Sequence, residues 1–271
     1  MKKTYFMACM ALASAVSLQS ASAGQAIAQT NNQLRLSYVK QTDFEFKKFF
    51  ADGLNPKVEG GAQDGFSLGL SHQGTVWGIQ DLYLSAELGY LTGNADYNGY
   101  DADTLQPLQE ANVYDYKSLD FAVKLGKGFA LGAQAQLTPY VTVGYSFWRN
   151  NGEKSGDYLD ELSNRFYGLG AMLQYALTPQ WVVTVDGSLA RNASSQTQWV
   201  RDGVTLKHDN KYTKQFGLGV NYSVNQHWSV FANWRWTERK FGISGVESNG
   251  WHERASVKKS QQLHVGAAYN F

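Results

Sequence analysis

The chain has 271 residues, and its 24 lysines and arginines nearly balance its 23 aspartates and glutamates. That near-neutrality gives no electrostatic footing for a nucleic-acid partner. The single cysteine, Cys9, falls inside the leader described next, so the rest of the chain holds neither a disulfide framework nor a thiolate metal site.

The first residues carry the marks of an export leader. Lys2 and Lys3 give a positive start, and Tyr5 to Leu18 is apolar and free of charge. Small residues follow at Ala21-Ser22-Ala23 and Ala26-Ile27-Ala28, so cleavage is expected after Ala23 or Ala28. Residues 1–23 are then a signal peptide and residues 24–271 one domain. Beyond the leader no stretch reaches the ~18 consecutive apolar residues that a membrane helix requires. With 27 glycines, 16 tyrosines and 8 tryptophans against 4 prolines, the composition fits an all-β chain, soluble or not.

Periodicity decides between those two. Leu34, Leu36 and Tyr38 mark a first segment, and Phe66, Leu68 and Leu70 a second. In the third, Leu82, Leu84, Ala86, Leu88 and Tyr90 alternate with Ser85, Glu87 and Gly89. The fourth sets Leu119, Phe121, Val123 and Leu125 against Ser118, Asp120, Lys124 and Gly126. Val141, Val143, Tyr145 and Phe147 mark the fifth, and Tyr167, Leu169, Ala171, Leu173 and Tyr175 the sixth. Trp181, Val183, Val185 and Leu189 follow in the seventh, then Phe216, Leu218, Val220 and Tyr222 in the eighth. Trp228, Val230, Ala232, Trp234 and Trp236 form the ninth, and Leu263, Val265, Ala267, Tyr269 and Phe271 close the chain. Successive strand side chains point to opposite faces, so each segment is a ribbon with one apolar and one polar or small face. Each runs for about 9–11 residues, the length of a tilted membrane strand.

A soluble barrel would turn the apolar faces inward, where glycine leaves voids. Here Gly69, Gly89, Gly126, Gly144, Gly168, Gly170, Gly217, Gly219 and Gly266 all sit on the polar face. Small residues that make room for large polar ones are what a polar lumen needs. The connections alternate as well. Thr42–Asp64, Thr92–Val113, Arg149–Asn164, Arg191–Tyr212 and Lys240–Lys259 are long and polar. Leu177-Thr178-Pro179-Gln180 and Val224-Asn225-Gln226-His227 are tight, and the two after segments two and four are intermediate. All long connections therefore emerge at one end. Tyr175 and Trp181 flank one tight turn, and Tyr222 and Trp228 flank the other at the same spacing, as a girdle at the short-turn interface would. Trp234 and Trp236 fall near the opposite end. The expected fold is all-β: an antiparallel up-and-down transmembrane β-barrel of ten strands. Eight strands with an N-terminal extension is the alternative, because segments one and two are the weakest.

The segment Phe166 to Trp181 and the ending Tyr269-Asn270-Phe271 resemble the small outer-membrane barrels that include the OmpA membrane domain and opacity-type proteins. That resemblance implies a Gram-negative outer membrane, loops at the cell surface and termini in the periplasm. It also implies recognition of the final strand, with Tyr269 and Phe271, by the barrel-assembly machinery. The expected partners are outer-membrane lipid and lipopolysaccharide, with an external ligand or host surface met through the loops.

The inward parity collects Arg35, Lys124 and Arg235 against Glu87, Asp120 and Asp186. Three charges of each sign should pair, bridged by His264, Gln174, Gln262 and water, because isolated charges in a narrow barrel are costly. Such a network plugs the lumen, and a narrow channel for small solutes built from the same residues is the alternative. The loops raise a third possibility. Asp101 and Asp103 in the second long loop, with His208-Asp209 in the fourth, are similar to the omptin proteases, ten-stranded barrels with an Asp pair and an Asp–His pair in those loops. Carried over, Asp101 and Asp103 would orient a water and His208 with Asp209 would act as its base. Here the order is Lys207-His208-Asp209, a departure in order and spacing from the omptin pattern. The fifth loop gathers Lys240, Arg254, Lys258 and Lys259 against Glu247 and Glu253, around Trp251-His252. No cofactor and no metal site is expected. The primary expectation is a non-enzymatic envelope barrel with a largely plugged lumen and surface-active loops.

Overall fold

The computed structural model describes residues 20–48, 57–98, 112–152, 159–200, 203–246, 252–253 and 255–271. A helix, α1 (Ser20–Asn31), precedes twelve strands. These are β1 (Gln33–Lys48), β2 (Lys57–Val76), β3 (Ile79–Asn98), β4 (Asn112–Lys127), β5 (Phe129–Ala130) and β6 (Ala135–Gly152). They continue with β7 (Leu159–Ala176), β8 (Trp181–Trp199), β9 (Val204–His208), β10 (Tyr212–Ser223), β11 (Trp228–Phe241) and β12 (Ser256–Asn270).

All pairings are antiparallel, and β12 returns to pair with β1 from Gln33↔Asn270 to Lys48↔Ser256. The sheet closes on itself. Ten strands form the wall; β5 lies against β6, and β9 folds back onto the upper part of β8. Segments one and two are full staves, each hydrogen-bonded on both sides, which removes the eight-strand alternative.

The side chains are inverted relative to a soluble protein. Leu36, Phe66 and Leu169 are 59%, 64% and 68% exposed, while Ser71, Thr138, Ser146 and Asn164 are fully buried. The exposed apolar set coincides with the alternating faces of the sequence, from Leu34 to Phe271. In water this would forfeit about 1.5–3 kcal/mol for every large side chain left uncovered; against lipid tails it costs nothing.

The strands exceed the sequence expectation. β2 and β3 have 20 residues each and β8 has 19, well beyond the apolar runs. Most of what reads as long loop is hairpin: β3 continues to Asn98 and stays paired with β4 as far as Tyr97↔Asn112. Above the apolar band the outward positions turn polar, as Thr92, Asn94 and Asp96 do in β3, so the lipid-facing alternation that marks a strand in sequence fades while its ladder continues. The turn after β2 is also tighter than expected. Val76 pairs with Ile79 across Trp77-Gly78, both at positive φ (52° and 79°), the two-residue geometry whose twist suits a hairpin.

The two tight turns share one device. Thr178 Oγ1 accepts from the backbone N–H groups of Gln180 (3.2 Å) and Trp181 (3.1 Å). Asn225 Oδ1 does the same for His227 (2.8 Å) and Trp228 (2.9 Å). The girdle follows: Trp181 and Tyr222 lie 4.6 Å apart between ring centroids, and Trp228 and Tyr269 5.5 Å.

Ala86 lies midway along the outward run Leu82–Tyr90. Ala86→Arg is expected to lower stability in lipid vesicles by about 2–4 kcal/mol, the cost of a cation near the bilayer midplane. Reversible urea unfolding followed by tryptophan fluorescence measures it, and an unchanged midpoint would contradict the outward placement.

Candidate functional site

The lumen is layered. At the short-turn end α1 enters the mouth. Its alanine-rich sequence favours helix, and the helix stops where Asn31 and Asn32 bond to the wall. Ala26 and Ile27, each 2% exposed, pack on Ala176 and Val182. Gln29 Nε2 donates to the carbonyls of Asn225 (3.2 Å) and Gln226 (2.8 Å). Asn31 Nδ2 donates to Gln73 Oε1 (2.6 Å) and Gln174 Oε1 (2.8 Å), and Gln174 Nε2 returns a bond to Asn31 Oδ1. Gln174 thus belongs to a helix-to-wall amide cluster and not, as the sequence suggested, to the ion pairs.

Above this lie three charged clusters. Lys124 Nζ contacts Asp186 Oδ2 at 2.8 Å, and the Tyr140 hydroxyl donates to Asp186 Oδ1 at 2.9 Å. Arg235 meets Glu87 through two parallel bonds of 2.7 and 2.9 Å, the forked geometry that makes such pairs strong. Arg239 Nη2 contacts Asp120 Oδ1 at 3.0 Å, where the Ser146 hydroxyl also donates at 2.5 Å. Arg239 escaped the sequence reading, although it continues the inward parity of Arg235 past Trp236, the end of its strand's outward apolar run. Gln262 donates to Gln41 at 3.0 Å and lies 3.3 Å from His264, so this pair braces the wall beside the charges.

Arg35 differs from the expectation. It lies over Gly69, and among the described residues no carboxylate pairs with it. With Arg239 included, the described lining of the lumen's cavity holds four cations against three anions, not the neutral set that the sequence indicated. A polar cavity of about 170 Å³ remains among Arg35, Glu87, Asp120, Lys124, Asp186 and Arg235.

At the surface-side end lies a layer that alternation did not foretell. Tyr116, Trp148, Leu162 and Phe241 are buried in one inward cluster with Ala95. Lys258 Nζ sits 3.9 Å from the Trp148 ring centroid and 4.9 Å from that of Tyr116, and the Arg239 guanidinium lies 5.2 Å from Trp148. Cations over aromatic faces hold this lid. In sequence, Trp148 was hidden behind its outward neighbour Phe147.

Two glycines provide the room. A Cβ on Gly170 would fall 2.4 Å from the Tyr140 ring, and one on Gly144 would fall 2.3 Å from Phe166. Large inward rings occupy what small residues vacate.

Of the protease-like residues, Asp101 and Asp103 lie outside the described residues. His208 is 8% exposed; its Nδ1 lies 3.0 Å from the Gly242 carbonyl and its Nε2 2.8 Å from Thr197 Oγ1. A carbonyl only accepts, so Nδ1 carries a proton. Asp209 is exposed, beside Gly242. Of the fifth-loop residues, Glu253 accepts from the Trp199 indole at 3.3 Å, and Lys259 lies 3.8 Å from Glu238; Glu247, Trp251 and Arg254 lie outside the described residues. Tyr269 and Phe271 face outward, 42% and 60% exposed. Among the described residues no cluster of metal-ligating side chains occurs.

Gly170→Ala is expected to displace Tyr140 from Asp186 and cost about 1–3 kcal/mol, the usual range for overpacking; adding Tyr140→Ala should recover part of it. Glu87→Gln should cost about 1–3 kcal/mol through the weakened fork to Arg235. A double-mutant cycle with Arg235→Gln reads the coupling, and a coupling near zero would mean that water already screens the pair.

A family model described as outer membrane protein beta-barrel domain matches residues 9–191. Among solved structures, the outer membrane protease OmpT from Escherichia coli aligns at a TM-score of 0.50 and 11% identity, covering 89% of this chain and 98% of that one. The transport unit of the autotransporter AIDA-I from Escherichia coli aligns at 0.47 and 10%, covering 94% and 100%. The outer membrane protein OprG from Pseudomonas aeruginosa aligns at 0.41 and 10%, covering 88% and 94%. At such identities these likenesses concern the fold alone. No curated protein sequence matches the chain significantly.

Proposed function

The chain belongs to the outer membrane protein beta-barrel domain family of the Gram-negative outer membrane, and within that family we propose a closed, non-enzymatic envelope barrel that holds its surface hairpins in fixed positions. The observation that carries this is the double closure of the lumen: α1 at the periplasmic mouth and the Tyr116–Trp148–Phe241 layer at the other, with paired charges between. A continuous water path needs a bore wider than a ten-stranded wall filled with side chains leaves. The long β3–β4 and β6–β7 hairpins continue the wall outward and support a rigid platform for contact at the surface. His208 supports a structural role, since one ring nitrogen meets Thr197 of its own hairpin and the other the Gly242 carbonyl just past β11. Outward Tyr269 and Phe271 suit the aromatic ending that assembly machinery reads.

Closure by α1 requires that export cleavage spare it. Cleavage after Ala23 keeps Ala26 and Ile27, whereas cleavage after Ala28 removes both, so the mature chain is expected to begin at Gly24. Intact mass of the envelope-extracted protein reads this directly. In planar bilayers the refolded mature protein is expected to give no steady single-channel steps, and deletion of residues 24–31 together with Trp148→Ala should produce them. Stable ohmic steps from the unaltered protein would replace this proposal with the small-solute channel. Cleavage of a basic peptide by whole cells, lost in His208→Ala, would replace it with the protease.

A further inference from the structure

The lumen cavity between α1 and the aromatic layer is lined by one more cation than its carboxylates hold. Lys124 is held by Asp186 at 2.8 Å, Arg235 by Glu87 at 2.7 and 2.9 Å, and Arg239 by Asp120 at 3.0 Å. Asp186 and Asp120 also accept from the Tyr140 and Ser146 hydroxyls. Arg35 is left over. Glu87 lies within electrostatic reach of it, but both Glu87 oxygens are taken up by the Arg235 fork. The Arg35 side chain lies over its β2 neighbour Gly69, its Cβ and Nε 3.7 and 3.8 Å from where a Cβ on Gly69 would stand. Its Nε is buried and meets no acceptor among the described residues. Ser85 of β3 and Lys124 of β4, directly opposite each other in the register, line the same space of about 170 Å³.

We propose that this cavity binds one small monovalent anion of the halide class, chloride above all, with Arg35 as its principal ligand. The excess in the described lining is one positive charge, so a single monoanion balances it, whereas a phosphate dianion overshoots. Nothing in that lining favours a cation, because every carboxylate there already faces a guanidinium or an ammonium group. A guanidinium without an anion in a low-dielectric interior is costly, and a charge-assisted bond from its Nε–H offsets that cost. The Ser85 hydroxyl supplies a second donor, and Lys124 opposite it adds positive potential. The volume holds such an ion together with water molecules that complete its shell. The preference for a monatomic ion over a bulkier organic acid rests on the closed barrel proposed above; the excess of charge does not.

Urea unfolding of the refolded mature protein tests this, with sodium chloride exchanged for sodium gluconate at constant sodium concentration. The unfolding midpoint of the unaltered protein is expected to rise with chloride and to saturate, as binding at one site requires. Arg35→Gln should need at least roughly tenfold more chloride to reach half of that rise, the loss expected for one charge-assisted hydrogen bond. Arg35→Lys keeps the charge but not the Nε donor; it is expected to fall between the two, and it serves if the glutamine variant does not refold. Lys40→Gln, which removes an exposed cation from the outer face of the same strand, should leave the chloride dependence unchanged. Retention of the heat-modifiable gel shift marks each variant as folded. In crystals soaked in sodium bromide, anomalous diffraction is expected to place one bromide against the Arg35 guanidinium. Equal midpoints in chloride and gluconate, an unchanged half-saturation in Arg35→Gln, or bromide on the outer surface alone, an adventitious ion only, would each overturn the site. Single-channel steps in planar bilayers bear on closure and the chloride-dependent midpoint on the site, so failure of one is read apart from failure of the other.

Discussion

The absence of water in the hydrocarbon layer governs this molecule. Every backbone N–H and C=O at that depth must find a partner within the protein, because each one left open costs several kcal/mol. A sheet satisfies that demand only when it has no edge. The antiparallel return of β12 onto β1 is thus the condition for the rest: once the ladder closes, the wall needs nothing from its surroundings but hydrocarbon. The exposed leucines and valines and the aromatic girdles follow from it.

Closure also creates an interior that must be filled by the polar half of each strand. The chain resolves this with pairs and layers: a forked Arg235–Glu87 contact, Lys124 shared with Asp186, and Arg239 with Asp120. Each charge has its partner on a different strand, so the network cross-braces the barrel. Arg35 is the exception: among the described residues no carboxylate pairs with it, and the small cavity it lines has a net positive lining. The two ends are filled by different means, a helix with amide contacts on one side and aromatic rings under cations on the other.

The outer surface repeats the theme at its upper edge. Where the apolar band ends, outward cations on β8, β10 and β11 meet the headgroup layer, and one carboxylate there is shared between two lysines.

How much of this was legible in sequence depends on what each feature rests upon. The strand faces, the girdle pairs around Thr178 and Asn225 and the inward charges could be read because a period of two is a local property of the chain. The strand ends could not, since β3 above Tyr90 turns polar on its outward face at Thr92, Asn94 and Asp96 and buries Leu91 and Ala95 inward, reversing the pattern while its ladder with β4 continues. Asp120 was assigned inward, but its partner Arg239 lies 119 positions away and is found only across the lumen. The burial of Ala26 and Ile27 was hidden too, because a leader and a plug draw on the same small residues. By itself the sequence determined which side of each strand faces lipid, since that follows from side-chain chemistry and alternation. Which charge meets which, how the mouths close and where a cavity remains were decided by the tertiary structure, because these depend on strand register and closure around the barrel.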